Sequence, residues 1–107
     1  MIYSVITTEL ANDHIDKLVN YLVNRLKNPD AAIRFMDKLE KLYGRLAENP
    51  LQFPLSNDDF LQRIGYREAL VSKMNYRVIF RIEMDIVYIV GVFHTSENFL
   101  RKLNLDD

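Results

Sequence analysis

The chain has 107 residues, of which 49% are hydrophobic and 27% are charged, and its 14 basic and 15 acidic residues leave a net charge of −1. These values are ordinary for a soluble globular protein, and the length predicts one domain over residues 1–107 with a single hydrophobic core. The absence of cysteine excludes disulfides, thiolate zinc sites and cysteine nucleophiles, and two histidines (His14 and His94) are too few to assemble a metal site, so we expect no metal and no other cofactor.

The first residues, MIYSVITTEL, lack a basic segment followed by an apolar stretch and a small-residue cleavage site, so they do not resemble a secretory signal. No apolar run approaches the roughly 20 residues that a membrane span needs. We therefore expect a cytoplasmic protein that makes no use of a membrane.

Residues 1–8 alternate between two faces, which predicts a first strand, and Thr7 or Thr8 can cap the helix that follows. Apolar residues then recur at helical spacing over residues 9–27, and again from about Pro29 to Glu48. Asn28 and Pro29 suit the start of the second helix, and so short a connection predicts an antiparallel helical hairpin. His14 lies in the first helix, and we interpret it as a surface or interhelical residue without a role.

Asn49 and Pro50 end the second helix, and a loop is expected from there to about Gln62. The adjacent acids Asp58 and Asp59 are interpreted as solvated loop residues, since neighbouring loop acids rarely act in catalysis or bind a metal. At the other end of the chain, the tail 95–107 is expected to form one short helical turn that carries Phe99, Leu100 and Leu103.

Residues 63–94 read as three successive antiparallel strands, roughly 64–72, 75–83 and 86–94. Their β-branched and aromatic content suits a pleated surface, and tight turns are expected at Lys73–Met74 and Glu83–Met84–Asp85. The last strand is apolar on both faces, which indicates a central strand covered on both sides or one whose outer face meets a partner.

The predicted order is therefore β-α-α-β-β-β. It describes an α+β domain in which a helical hairpin packs on one face of a small, mostly antiparallel, four-stranded sheet. The other face of the sheet is expected to stay partly open.

Positive charge is concentrated on these strands. Between Arg63 and Ile82 there are five cations and one acid, Glu68. The cations are Arg63, Arg67, Lys73, Arg77 and Arg81. Alternation puts Arg77 and Arg81 on the face that carries Ile79, while Tyr76, Val78, Phe80 and Ile82 point the other way. Such a face is a candidate surface for phosphate, although cations on strands also serve solubility alone.

The ordered set of segments resembles the RelE/ParE superfamily of type II toxin–antitoxin toxins, the plasmid stabilisation proteins. The segments that carry the resemblance are Ile6-Thr7-Thr8-Glu9, Leu46-Ala47-Glu48-Asn49-Pro50, Phe53-Pro54-Leu55, Gly65-Tyr66-Arg67, Asn75-Tyr76-Arg77-Val78-Ile79-Phe80 and Val87 to His94. Together they span nearly the whole chain.

The resemblance implies a growth-inhibiting toxin, and ribosome-dependent cleavage of messenger RNA is the first hypothesis. In that metal-independent reaction a 2′-hydroxyl attacks the neighbouring phosphate, so the enzyme needs a base, an acid and cations around phosphorus. By resemblance, Arg67 and Arg77 fall where family nucleases bind phosphate, and His94 falls near a catalytic acid or base. Arg63, Lys73 and Arg81 are then candidate nucleic-acid contacts.

Two features depart from the family's nucleases. After His94 the chain continues Thr95-Ser96-Glu97-Asn98-Phe99, without the usual basic pair or tyrosine, and the net charge is low for a protein that docks on ribosomal RNA. Two further hypotheses therefore stay open: a non-nuclease toxin that inhibits DNA gyrase, and an inactive member that only binds its antitoxin.

All three hypotheses share one expected partner, a cognate antitoxin that lays a helix or an extended segment across the hairpin or the open sheet face. The ribosome with its mRNA, or DNA gyrase, would be the target. A homo-oligomer or a toxin–antitoxin hetero-oligomer is also expected.

Overall fold

A computed structural model describes residues 2–97, and its order of elements confirms the predicted α+β arrangement. The strands are β1 (Ser4–Thr7), β2 (Arg67–Leu70), β3 (Tyr76–Glu83) and β4 (Ile86–His94). The helices are α1 (Glu9–Asn20), α2 (Pro29–Glu48) and the short α3 (Asp59–Arg63). The helical turn expected around Phe99, Leu100 and Leu103 lies outside the described residues.

The four strands form one sheet in the order β1-β4-β3-β2. β1 runs parallel to β4, with Val5 opposite Val87, and the other two pairs are antiparallel. β4 therefore lies between two strands. Its side chains pack with the helices on one face and with Leu61 and Ile79 on the other, which explains why it is apolar on both faces.

A bulge in β4 changes which side chains share a face. Ile79 pairs with Gly91 and the next residue, Phe80, pairs with Ile89, so Val90 is the extra residue on β4. As a result Ile89 and Val92, three positions apart, both enter the core beneath the helices, whereas Val90 packs on the other face.

Both predicted turns contain a residue with a left-handed backbone. Lys73 has φ 60° in the turn between β2 and β3, and Met84 has φ 55° in the turn between β3 and β4. β2 begins later than predicted because α3 occupies residues 59–63 and Gly65, with φ 84°, reverses the chain before the strand.

Side-chain caps begin both long helices. Ala11 N donates to Thr8 Oγ1 at 3.2 Å, and Ala31 N donates to Asn28 Oδ1 at 3.1 Å. The first helix differs from the prediction at its end, because α1 stops at Asn20 and continues as a wider π-helical turn over Tyr21–Arg25.

The main core lies between the helical hairpin and one face of the sheet. α2 contributes most of the helical side chains, among them Phe35, Leu39, Leu42 and Leu46. β3 and β4 contribute equally from the sheet, with Tyr76, Val78 and Phe80 from β3 and Val87, Ile89 and Val92 from β4. The predicted division of β3 into two faces is confirmed, since Ile79 packs on the opposite side with Leu61 and Phe93.

The helix α3 was not predicted. The segment Ser-Asn-Asp-Asp reads as a turn, but Asp58 acts as an N-cap that accepts a hydrogen bond from Leu61 N at 3.0 Å. α3 puts the buried side chain of Leu61 against Ile79, so the sheet face expected to be open is covered in part.

His14, which lies on α1, contacts the sheet. Its ring centroid lies 4.5 Å from that of Phe93, and its Nδ1 accepts the Val92 N–H at 3.4 Å. α1 continues beyond the end of the short β1, and His14 links it to β4.

Candidate functional site

Arg77, a predicted catalytic residue, belongs to a network of charged and polar groups on the sheet face away from the hairpin. Its Nη1 lies 3.0 Å from Glu68 Oε1 across the β2–β3 pair, and its Nη2 donates to Thr95 O at 2.9 Å. The side chains of Arg77 and Glu68 are only 19% and 10% exposed.

The other carboxylate oxygen of Glu68 extends this network into the loop before α3. It accepts hydrogen bonds from the buried Ser56 hydroxyl and from Asn57 N, the latter at 3.2 Å. One carboxylate thus joins Arg77 on β3 to the 56–57 segment, and Arg77 joins both to the chain after β4.

Arg67 lies on the opposite face of the sheet from Arg77. It pairs with Phe80, whose side chain faces the hairpin, whereas Arg77 pairs with Leu70. Its Nη1 donates to Phe53 O at 2.7 Å, which holds the loop 53–55 against β2. The two predicted phosphate-binding arginines therefore do not meet in one cleft.

His94 ends β4 on the hairpin side. Its ring packs edge-on against Tyr76 with the centroids 5.6 Å apart, and its Nδ1 lies 2.7 Å from Ser96 Oγ. His94 pairs with Tyr76 and Arg67 pairs with Phe80, so the two residues lie four β3 positions apart. Because a strand rises about 3.3 Å per residue, this separates His94 from Arg67 by about 13 Å along the sheet.

A groove of about 420 Å³ adjoins His94 and is lined by Tyr21, Tyr76 and Glu97 among others. Burial raises the pKa of Tyr76, and the nearby carboxylate of Glu97 raises it further. Tyr76 is thus held in its neutral form and can offer a hydroxyl but no charge beside His94.

The three predicted nucleic-acid contacts lie apart from one another. Arg63 is exposed on α3, where its Nε donates to Asp59 O at 3.4 Å, and Lys73 is exposed in its turn. Arg81 lies 4.2 Å above the ring of Tyr88 and pairs with Glu83. On the sheet face away from the hairpin, Arg77 and Arg81 therefore each have a carboxylate partner.

A second basic surface was missed at the sequence level. It lies along α2 and consists of Arg34, Lys38, Lys41 and Arg45, which line a groove of about 390 Å³ with Leu70 and Ser72. We call these four residues the cationic stripe of α2. The signal was present in the sequence as the spacing i, i+4, i+7, i+11, which puts all four on one helix face.

The family model for ParE toxins of type II toxin–antitoxin systems, parDE, matches residues 5–99. The chain belongs to the ParE toxin family. This confirms the membership of the RelE/ParE superfamily that the sequence segments indicate.

Solved structures agree with the ParE-family fold. The chain is similar to the chromosomal ParDE toxin–antitoxin system from P. aeruginosa, with a TM-score of 0.71 and 17% identity over 87% of this chain and 96% of that one. It is also similar to the toxin–antitoxin complex RelBE2 from Mycobacterium tuberculosis, with a TM-score of 0.57 and 24% identity over 88% and 99% of the two chains. No curated protein sequence matches significantly.

Across residues 2–97, no helix is long and apolar enough to cross a membrane.

Proposed function

We propose that this ParE-family toxin arrests growth by binding a protein target, with DNA gyrase as the candidate, rather than by cutting messenger RNA. One observation carries the proposal. The side chain of Arg77, the strongest candidate for a phosphate contact, is paired with Glu68 and hydrogen-bonded to Thr95 O. Its charge is therefore already compensated within the fold.

The chemistry of RNA cleavage explains why this pairing matters. Stabilising the extra negative charge on phosphorus requires cations that face the substrate and do not have to leave another partner first. Releasing Arg77 would leave the largely buried Glu68 carboxylate without its cation, and breaking such a pair is strongly unfavourable. Arg67 lies on the other face and cannot replace Arg77 beside the same phosphate.

The surface around α3 offers apolar side chains that suit a protein partner. Phe60 is exposed on this short helix and Ile64 directly after it, and Leu55 is exposed in the loop that pairs with β2. Exposed apolar side chains grouped together mark protein interaction sites more often than RNA-binding sites, which rely on cations. This favours a binding toxin.

We also infer an antitoxin as the natural partner. The two similar structures are described as toxin–antitoxin complexes, and α2 exposes Ile33 and Met36, at the spacing i, i+3. Two such residues can anchor an apolar helix or segment on the hairpin.

The test is brief expression of the protein without an antitoxin in growing bacteria, with mapping of the 5′ ends of cellular mRNA and a gyrase supercoiling assay on purified protein. We expect growth arrest with intact mRNA and inhibited supercoiling. His94→Ala should arrest growth as the parent does, because no cleavage chemistry is lost.

Two results would overturn the proposal. New 5′ ends within coding regions that vanish in His94→Ala would identify a ribonuclease that uses His94. No arrest by protein that is folded according to circular dichroism would identify an inactive member. If growth stops while mRNA stays intact and gyrase supercoiling is unaffected, the target is a protein other than gyrase.

A further inference from the structure

The outer edge of β2 carries backbone groups that the fold leaves open. β2 is the last strand of the sheet, and the Val71 N–H donates to Tyr76 O, so alternation turns the Leu70 N–H and C=O away from β3. Within residues 2–97, no backbone hydrogen bond reaches either group of Leu70.

Pairing on this edge stops just before Leu70. The Glu68 N–H donates to Pro54 O at 3.1 Å, and Ser56 N donates to Tyr66 O at 2.9 Å, so the loop 54–56 covers the start of β2. Pro54 ends this short ladder because proline has no N–H to offer. Leu70, with 63% of its surface exposed, lies directly beyond the covered part.

Leu70 also separates two grooves. On one side is the 390 Å³ groove along the cationic stripe of α2. On the other is a groove of about 540 Å³ whose walls include Phe53, Pro54 and Leu55 and which reaches the neutralised Glu68–Arg77 pair. One groove is therefore cationic and the other is mostly apolar.

The cationic groove has little internal compensation. Its walls carry the four cations of the stripe and one acid, Asp37, which lies 3.3 Å from Lys41 Nζ. Arg45 is also hydrogen-bonded to Gln52 and lies over the ring of Phe53. Arg34 and Lys38, at the other end of the stripe, have no carboxylate within salt-bridge distance among the residues that the structure describes.

We propose that the β2 edge at Leu70 takes an extended segment of another protein in which acidic and apolar residues alternate. Successive side chains of a strand point to opposite sides. A segment that pairs with the Leu70 N–H and C=O therefore directs its acidic side chains to the stripe and its apolar side chains to the Phe53–Leu55 groove. This site is independent of the toxin's target.

A nucleic acid fits this surface less well than a peptide does. Phosphates would match the cationic stripe, but a sugar–phosphate backbone cannot form the regular pairing that an open strand edge offers. The apolar walls on the far side of Leu70 would also contribute nothing to phosphate binding. A peptide strand uses the edge and both grooves at once.

The experiment measures binding of a blocked hexapeptide of alternating glutamate and valine to the purified ¹⁵N-labelled protein by NMR and isothermal titration calorimetry. We expect saturable binding that shifts the amide signals of Leu70, Ser72 and Lys38. Two control peptides should not bind: one with lysine in place of glutamate, and one whose backbone is N-methylated and cannot pair.

Protein variants locate the site. Lys38→Glu should weaken peptide binding about tenfold or more because it replaces attraction by repulsion in the groove. The matched reversal Arg25→Glu, on the exposed π-helical turn, should leave binding unchanged. Leu70→Pro removes the edge N–H and should also abolish binding, with folding of every variant checked by its NMR spectrum.

The proposal is overturned if the glutamate–valine peptide does not bind, or if Lys38→Glu and Arg25→Glu weaken its binding equally. It is also overturned if a single-stranded oligonucleotide binds the same amides more tightly than the peptide, which would make this a nucleic-acid surface. None of these results bears on growth arrest, so the site and the proposed function fail separately.

Discussion

Arg77 Nη1 lies 3.0 Å from Glu68 Oε1, and this ion pair joins β3 to the edge strand β2 on the sheet face away from the helical hairpin. Both side chains are largely buried, and the other carboxylate oxygen of Glu68 accepts hydrogen bonds from the Ser56 hydroxyl and Asn57 N. Because the pair connects four segments that are distant in the sequence, we interpret it as a structural centre of this face.

The first prediction concerns the loss of charge at this centre. Glu68→Gln keeps the size and the acceptor oxygen of the side chain but leaves the Arg77 guanidinium largely buried without its counter-charge. We expect the free energy of unfolding to fall by about 3 kcal/mol, the lower end of the cost of removing one partner from a buried ion pair. Urea denaturation followed by circular dichroism measures this change.

The exposed pair between Lys41 and Asp37 supplies the control, because water screens it. Asp37→Asn should lower the free energy of unfolding by less than about 0.5 kcal/mol. If Glu68→Gln proves as mild as Asp37→Asn, the Arg77–Glu68 pair does not organise this face, and Arg77 regains its standing as a phosphate ligand.

The second prediction concerns the β3–β4 turn. Met84 has φ 55° at the first position of a two-residue loop and is 95% exposed, so its side chain gains little from packing. Met84→Gly should raise the free energy of unfolding by roughly 0.5–1 kcal/mol, because glycine adopts this conformation without steric cost. Asp85→Gly, at a position without positive φ, should lower it instead; thermal unfolding of both variants gives the comparison.

The third prediction concerns stability at high pH. Burial raises the pKa of Tyr43 above its ordinary value near 10, while the hydrogen bond with Thr7 Oγ1, at 2.9 Å, opposes this shift. Since the folded state holds the phenol proton more tightly than the unfolded state, this contribution to stability is complete below pH 10 and is lost as the pH rises further.

Tyr43→Phe should therefore lose stability less steeply above pH 10 than the parent protein, although at neutral pH it is less stable by about 1 kcal/mol for the lost hydrogen bond. Unfolding in urea between pH 8 and 11 tests both statements. Thr7→Val provides the check on the cause: it removes the opposing hydrogen bond, so the tyrosinate absorbance of Tyr43 should appear at higher pH. Equal slopes for Tyr43→Phe and the parent would contradict the assignment.

The fold was predictable because its signals are local. Helical periodicity defined the hairpin, the Asn28 and Thr8 caps set its starts, and the alternation along β3 assigned Val78 and Phe80 to the core. The helix α3 was not predicted, because its cap residue, Asp58, belongs to a Ser-Asn-Asp-Asp segment that is equally typical of a turn.

The arrangement of charge was not predictable in the same way. A count along the chain finds five cations between Arg63 and Ile82, but their effect depends on cross-strand register and on neighbours. Cross-strand register brings Glu68 to Arg77, and alternation along β3 puts Glu83 on the same face as Arg81. The cationic stripe of α2 was overlooked because acids lie between its cations in the sequence, and only the helix surface brings the four cations together along one groove, with Asp37 as its single acid.

The last prediction concerns the hairpin surface proposed for the antitoxin. Ile33 and Met36 are 67% and 44% exposed on α2, and an apolar partner would bury both of them. Ile33→Asp should leave the free energy of unfolding within about 0.5 kcal/mol of the parent, because the site is already in water. It should nevertheless weaken antitoxin binding about tenfold or more, since it buries a charge in an apolar contact.

Calorimetric titration with the protein encoded beside this gene measures the affinity of the toxin for its antitoxin. The control Asn24→Asp, which adds the same charge at an exposed position on the π-helical turn, should not alter this affinity. Unchanged affinity for Ile33→Asp would exclude this face of α2 and direct attention to the surface around Phe60 and Ile64.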